Sequence, residues 1–253
     1  MKKTSGFSKA GVVAGILAVG FVAYASYLVI DGNSKATNYN DYDFYSYIEA
    51  DEHTGGIADN IKGDKDAPVL IFEYADFQCE YCASINPRVN AAVEKAGGKL
   101  GVVYRNFLLS YHQNGTAAAS AALAAGQQGY WKDYANKLFS EQEEWYYATA
   151  SNRTDLFVKY FEAVTDGKGD NEKFKADMAS PEVSKRISFD MGIGKRLEVA
   201  GTPSFYVDGQ LIEWANKKGG KVTINGKEIA WDHNLTGEEF TNLLLDIVKA
   251  KTE

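Results

Sequence analysis

The chain has 253 residues, 24% charged and 45% apolar, with two cysteines, four prolines and a formal net charge of -7. This composition excludes a disordered chain and a collagen, two cysteines exclude a multi-disulfide scaffold and a cysteine-only metal site, and the missing basic field argues against nucleic acid as a partner. The charge is uneven: residues 1–30 carry +3, residues 31–66 hold three bases and nine acids, and the rest holds 21 bases and 25 acids.

Residues 11–30, GVVAGILAVGFVAYASYLVI, carry no charge. As a helix they reach roughly 30 Å, the thickness of a bilayer core, so a transmembrane signal-anchor helix is expected there. Lys2, Lys3 and Lys9 precede it, which places residues 1–10 in the cytoplasm and everything beyond residue 30 outside, in a single-pass membrane protein. Ala23-Tyr24-Ala25 offers a cleavage site after Ala25 as the alternative, but Tyr27-Leu28-Val29-Ile30 prolongs the apolar run past it. Both readings export the remainder. Residues 31–66 read as an acidic linker dotted with Tyr39, Tyr42, Phe44, Tyr45 and Tyr47, too polar for a core; its aromatic spacing also suits an arm lying on the domain.

Residues 69–74 form an apolar run of strand length, and residues 79–95 suit a helix with Pro87 one turn inside, where a kink is expected. A second strand over residues 100–107 follows the Gly97-Gly98 stop, so the three elements make a parallel strand-helix-strand unit. Residues 113–198 lack strand character and read as a helical block in which Trp131, Tyr134, Leu138 and Phe139 fall at core spacing. Asp208-Gly209 and Asn225-Gly226 then mark two hairpins. A closing helix begins at Thr236 with Glu239 as a capping box and carries Phe240, Leu243, Leu244, Ile247 and Val248 on one face.

The two cysteines form one motif, Cys79-Glu80-Tyr81-Cys82, at the point where a strand gives way to a helix. The unpaired N–H groups and dipole of a helix N-terminus stabilise a thiolate, which marks Cys79 as the nucleophile. Cys82, one turn deeper, is placed to attack a mixed disulfide at Cys79 and release its partner. A structural disulfide is the alternative, although so short a loop constrains little of the unfolded chain. Half of a zinc site is another, but His53, His112 and His233 are scattered in no metal spacing, so no metal and no cofactor beyond the Cys79-Cys82 disulfide is expected.

At this point the sequence resembles the DsbA-like branch of the thioredoxin superfamily. The matching residues are Ala67-Pro68-Val69, Glu73-Tyr74-Ala75-Asp76-Phe77-Gln78 before CEYC, Pro87, the alanine-rich start of the helical block, and Gly201-Thr202-Pro203 before the first hairpin. The likeness covers about residues 61–250. It implies an α/β, thioredoxin-like fold whose core, residues 67–112 and 199–253, is split by a helical insert over residues 113–198. It also implies thiol-disulfide exchange on exported proteins. Thr202-Pro203 resembles the family's cis-proline loop, which offers the backbone of residue 202 to an extended substrate. Glu73 resembles the family's acid beneath the active site, a proton acceptor for Cys82; an acid at a strand end is the alternative. His112 occupies a family position and is expected to serve the loop rather than the chemistry.

Glu80 and Tyr81, between the cysteines, are expected to modulate the site. Glu80 stands where the family often has proline, and its carboxylate suits the helix dipole but disfavours a neighbouring thiolate. The expectation is therefore a less acidic Cys79 than in strongly oxidising relatives. The functional expectation is a membrane-anchored extracytoplasmic thiol-disulfide oxidoreductase, an oxidase acting on the thiols of exported proteins and served by a membrane or extracytoplasmic redox partner. A reductase or isomerase of the same fold, or a tethered peptide-binding module with a structural C-x-x-C, are the alternatives.

Overall fold

The computed structural model describes residues 37–253, within which Tyr39–Glu253 form one unit. The expected anchor over residues 11–30 and the stretch before it lie outside the described residues. Among those described, no helix is long and apolar enough to cross a membrane.

Strands β1 (Asn60–Gly63), β2 (Val69–Ala75) and β3 (Leu100–Asn106) are joined by helix α1 (Glu80–Lys95) between the second and third. Strand β2 is parallel to β3, as the sequence pattern requires, with Val69 opposite Leu100 and Ala75 opposite Asn106. After the helical insert, β4 (Ser204–Val207) and β5 (Gln210–Ile212) form the first predicted hairpin, and β4 runs antiparallel to β2. The sheet order is β1-β3-β2-β4-β5. A second hairpin, β6 (Gly220–Ile224) and β7 (Lys227–Trp231), precedes the closing helix α8 (Glu238–Thr252).

The insert contains α2 (Gly115–Gly126), α3 (Trp131–Ser140), the single turn α4 (Gln142–Trp145), α5 (Ala150–Thr165), α6 (Asn171–Met178) and α7 (Pro181–Arg196). Small residues let α2 sit at the centre of the block, with six of its alanines fully buried. Trp131, Tyr134, Leu138 and Phe139 are core residues, and the Tyr134 hydroxyl donates to the Phe157 carbonyl at 2.9 Å.

The period of two in a strand explains the layers on either side of the sheet. Val69 and Ile71 of β2 join Val102, Phe205 and Val207 under α1 and α8. Phe72 and Tyr74 face the other way, with Val103 and Tyr206, and are covered by Phe189 and Ile193 of α7. Glu73 has the parity of Val69 and Ile71, so this carboxylate lies on the α1 side and is fully buried.

In its described part the stretch after residue 36 takes the second of the two forms expected, an arm lying on the domain rather than a linker. Tyr39 and Tyr42 pack on the Phe189 ring at centroid distances of 5.6 and 4.9 Å, Ile48 is buried, and residues 60–63 add β1 to the sheet. Two of the acids that suggested solvation are held by partners of their own. Asp51 accepts from the N–H groups of His53 and Thr54 at 2.7 and 2.8 Å, closing a turn. Asp59 is buried between two guanidiniums, Arg105 at 2.8 Å and Arg186, and Arg186 also meets Asp190 at 2.6 Å. This cluster joins the arm to β3 and α7, so the first part of the thioredoxin core begins earlier in the chain than residue 67.

Two smaller differences have local causes. Helix α8 starts two residues late, because Gly237 takes a positive φ of 60° and serves as the N-cap, while Thr236 keeps half of the capping box by donating its N–H to Glu239 at 3.3 Å. The second hairpin helps close the core. Val222 and Ile224 are buried, and Gln210 exchanges two hydrogen bonds with Thr223 at 2.7 and 2.9 Å. Helix α1 runs continuously through Pro87.

Candidate active site

Cys79 is the N-cap of α1, in an extended backbone conformation, four residues beyond the end of β2. Asp76 shapes the turn between them. Its carbonyl accepts the Cys79 N–H at 3.0 Å, and its carboxylate accepts the N–H groups of Gln78 and Leu109, each at 2.9 Å. His112 Nδ1 lies 2.8 Å from the same carboxylate, the loop-bracing part expected of it. Residue 115 must be glycine for this carboxylate to stay, since a Cβ there would come within 2.8 Å of Asp76 Oδ1.

The insert closes over this turn through polar side chains. Gln142 donates to the carbonyls of Phe77 and Cys79 at 2.7 and 3.1 Å. Gln78 accepts the Asn114 N–H at 2.6 Å and donates to the Tyr146 carbonyl at 2.9 Å. None of Asp76, Gln78, Asn114 or Gln142 was given a role from the sequence, although Asp76 and Gln78 lie in the stretch before CEYC that carries the family resemblance.

Both cysteines are thiols, and Cys79 is 5% exposed whereas Cys82 is fully buried. The antiparallel pairing of Tyr74 with Ser204 brings the start of β4 to the end of β2. The preceding loop therefore meets Cys79, whose thiol donates to the Thr202 carbonyl at 3.3 Å, and the Thr202-Pro203 bond is cis. A hydrogen bond from the Cys82 thiol is the largest influence on Cys79. Burial opposes ionisation, but the Thr202 side chain and the N–H groups of Cys82 and Tyr81 add to the first effect, and the Cys79 pKa falls to about 6. Burial pushes Cys82 the other way, well above the ordinary thiol range, reinforced by its bond to Cys79. One thiol is thus poised to ionise and the other to stay protonated.

Glu73 lies beneath them with neither carboxylate oxygen hydrogen-bonded. Burial raises its pKa, and Lys62 only partly offsets this. Lys62, on β1, is itself fully buried, and burial lowers its pKa. It lay inside the expected linker and carried no sequence signal. Glu80 and Tyr81 face solvent in the first turn of α1, Tyr81 with 69% exposure. Tyr111 and Tyr147 are also exposed, and a cleft of about 890 Å³ runs from Glu80 and Ser84 to Gln142 and Tyr147. Among the described residues no group of three or more His, Cys, Asp or Glu side chains is placed to hold a metal.

Residues 57–220 match a family model described as thioredoxin. The chain is 32% identical over 154 residues to a Na(+)/H(+) antiporter NhaA of Herminiimonas arsenicoxydans, an alignment covering 61% of this chain and 23% of that protein. The chain therefore spans about a quarter of the length of the curated relatives it matches. Two solved structures share the architecture. BdbD from Bacillus subtilis superposes with a TM-score of 0.56 at 15% identity, over 83% of this chain and 98% of that one. The α-DsbA1 protein of Wolbachia pipientis gives 0.54 at 23% identity, over 76% and 92%. At these identities the likeness concerns the fold, a thioredoxin core carrying a helical insert.

Proposed function

The chain belongs to the thioredoxin family, and from that membership and the geometry above we propose that it is a thiol-disulfide oxidoreductase working as an oxidase on exported polypeptides. The carrying observation is the pair of opposed thiols, Cys79 drawn down to about 6 at the helix N-cap and Cys82 buried and pushed up behind it.

In the oxidising direction a substrate thiolate attacks Cys79 of the disulfide, the S–S bond breaks, and the electron pair passes to Cys82, which takes up a proton. The substrate's second thiolate then attacks its own mixed-disulfide sulfur and expels Cys79 as a thiolate. A low pKa makes Cys79 a good leaving group and stabilises the reduced enzyme, which favours oxidation of the substrate. The backbone of Thr202 is placed to pair with an extended substrate segment as it approaches Cys79. Glu73 supplies or accepts the proton of Cys82.

The uncharged run over residues 11–30, flanked by Lys2, Lys3 and Lys9, supports a membrane-anchored, extracytoplasmic location. Reoxidation then falls to a membrane or extracytoplasmic partner that accepts two electrons. The experiment is a glutathione equilibrium combined with refolding of a reduced, cysteine-bearing polypeptide. An oxidase forms disulfides in the substrate stoichiometrically with loss of its own; net reduction of a disulfide-bonded substrate refutes that direction. Labelling of Cys79 in intact cells by a membrane-impermeant thiol reagent tests the location, and protection until the cells are lysed contradicts it.

A further inference from the structure

The surfaces beside Cys79 decide which polypeptides reach its sulfur. One is the Thr202 backbone, which reads no side chain. Another is the cleft of about 890 Å³ that begins at Glu80, the residue after Cys79, and extends to Tyr147 of the insert. We propose that this cleft is the specificity subsite of the exchange reaction, and that it takes a basic side chain carried by the substrate polypeptide close to its cysteine. The proposal rests on the exchange activity proposed above and names the class of polypeptide served.

Carboxylates dominate the lining. Glu80, Glu141, Glu143 and Glu144 face the cleft, and among the described residues no lysine, arginine or histidine lines it. Glu141 is already engaged by Lys137 at 2.7 Å, and Glu144 by Lys159 at 3.1 Å and the Tyr160 hydroxyl at 2.6 Å. Glu80 and Glu143 are exposed, and neither carboxylate has an ion pair or a hydrogen bond among the described residues. A cleft lined by one sign of charge focuses its field, drawing in cations and repelling acidic segments.

Gln142 adds an independent indication of what the cleft holds. Its side chain is buried, at 7% exposure, and its Nε2 is committed to the carbonyls of Phe77 and Cys79. Oε1, at the opposite corner of the planar amide, accepts from no described residue and faces the cleft that Gln142 lines. A largely buried oxygen of this kind calls for an N–H donor. Because the same amide holds the Cys79 carbonyl, a donor seated on it lies beside the nucleophile.

Aromatic rings complete the wall. Tyr147 is 89% exposed and packs against Tyr146 at a centroid distance of 4.6 Å. The row continues from Tyr146 to His112 at 6.5 Å and from His112 to Tyr111 at 4.6 Å. Exposed rings beside carboxylates and an open amide oxygen suit an ammonium and, better, a guanidinium group, which stacks on a ring while its N–H groups reach the oxygens. An acidic or apolar side chain would leave Gln142 Oε1 without a donor and the carboxylates uncompensated.

The test compares two peptides with the same pair of cysteines, the residues around the first cysteine being Arg in one and Glu in the other. The second-order rate at which each reduces the Cys79-Cys82 disulfide is divided by its rate with a small neutral disulfide, which removes the effect of flanking charge on the peptide thiol itself. In about 20 mM salt the Arg peptide should react about tenfold faster than the Glu peptide, and in about 500 mM salt only about twofold faster. Glu143→Lys should abolish this preference, and Tyr147→Ala should reduce it about threefold; both side chains are exposed, so the fold is kept. Glu228→Lys makes the same charge change on β7, outside the cleft, and should keep the wild-type preference. Each preference is a ratio within one protein, so any change in the Cys79 pKa cancels. Equal rates for the two peptides, a preference that survives both Glu143→Lys and Tyr147→Ala, or an equal loss in Glu143→Lys and Glu228→Lys overturns the proposal. Failure of both peptides to reduce the disulfide refutes the exchange activity itself, whereas equal and measurable rates refute the subsite alone.

Discussion

A Cys79 pKa of about 6, with Cys82 held protonated, makes the reduction potential depend on pH in a specific way. Below pH 6 both thiols are protonated, so reduction takes up two protons with two electrons. Each pH unit then changes the equilibrium constant about a hundredfold, or about 59 mV in a two-electron couple. Above pH 6 reduction ends in one thiolate and one thiol, a single proton is taken up, and the slope halves to about 30 mV per unit. The sign is fixed: a depressed thiol pKa stabilises the reduced form only above that pKa, and increasingly so as pH rises towards the ordinary thiol range. At pH 7 the stabilisation relative to a dithiol of ordinary pKa is about 1.4 kcal/mol, or about 30 mV towards a stronger oxidant. With Cys79 only 5% exposed, solvent screening takes little from this figure. Glutathione equilibria from about pH 5 to 8, with thiolate absorbance on the same samples, measure both quantities. A constant slope of about 59 mV per unit to pH 8 would refute the reasoning, since Cys79 would then be an ordinary thiol.

Glu80→Pro removes the carboxylate beside Cys79 and should lower the Cys79 pKa further, by about half a unit; an unchanged or raised value by thiolate absorbance contradicts the opposition assigned to Glu80. Asp59→Ala leaves Arg105 and Arg186 buried without their shared carboxylate and should cost about 3–5 kcal/mol in denaturant unfolding, whereas a loss within the range of surface substitutions would mean that the arm is dispensable. Because those guanidiniums lower the Asp59 pKa, its contribution is present above the ordinary carboxylate pKa and is lost as pH falls through the depressed value. Glu73 has the reverse sign: its raised pKa makes the ionised form a cost near neutral pH, so Glu73→Gln should be more stable than wild type at pH 7 and lose that advantage as pH falls towards 4. The same variant should slow disulfide closure by Cys82 about a hundredfold, and wild-type closure would remove Glu73 from the proton transfer.

Much of this architecture has a local signal. Asp208-Gly209 and Asn225-Gly226 take the positive φ values that two-residue hairpins need, and the apolar run at residues 69–74 is readable because β2 is covered on both faces. Cys79 and Cys82 are legible too, being three residues apart at a strand-to-helix junction. What escaped was held by long-range polar contacts. Arg186 reaches Asp59 across 127 positions and Gln142 reaches Phe77 across 65, and no periodicity reports such pairs. Strand β1, Asn-Ile-Lys-Gly, is four residues with one apolar side chain, so its buried Lys62 resembles a linker lysine until β3 supplies the neighbouring strand.

The assignment of Cys79 as the exchanging thiol and Cys82 as the resolving one is tested most directly by trapping. A Cys82→Ser protein incubated with a disulfide-bearing polypeptide should accumulate a covalent adduct that reductant releases, and a Cys79→Ser protein should form none. Absence of an adduct in the first, or equal adduct in both, would contradict the account.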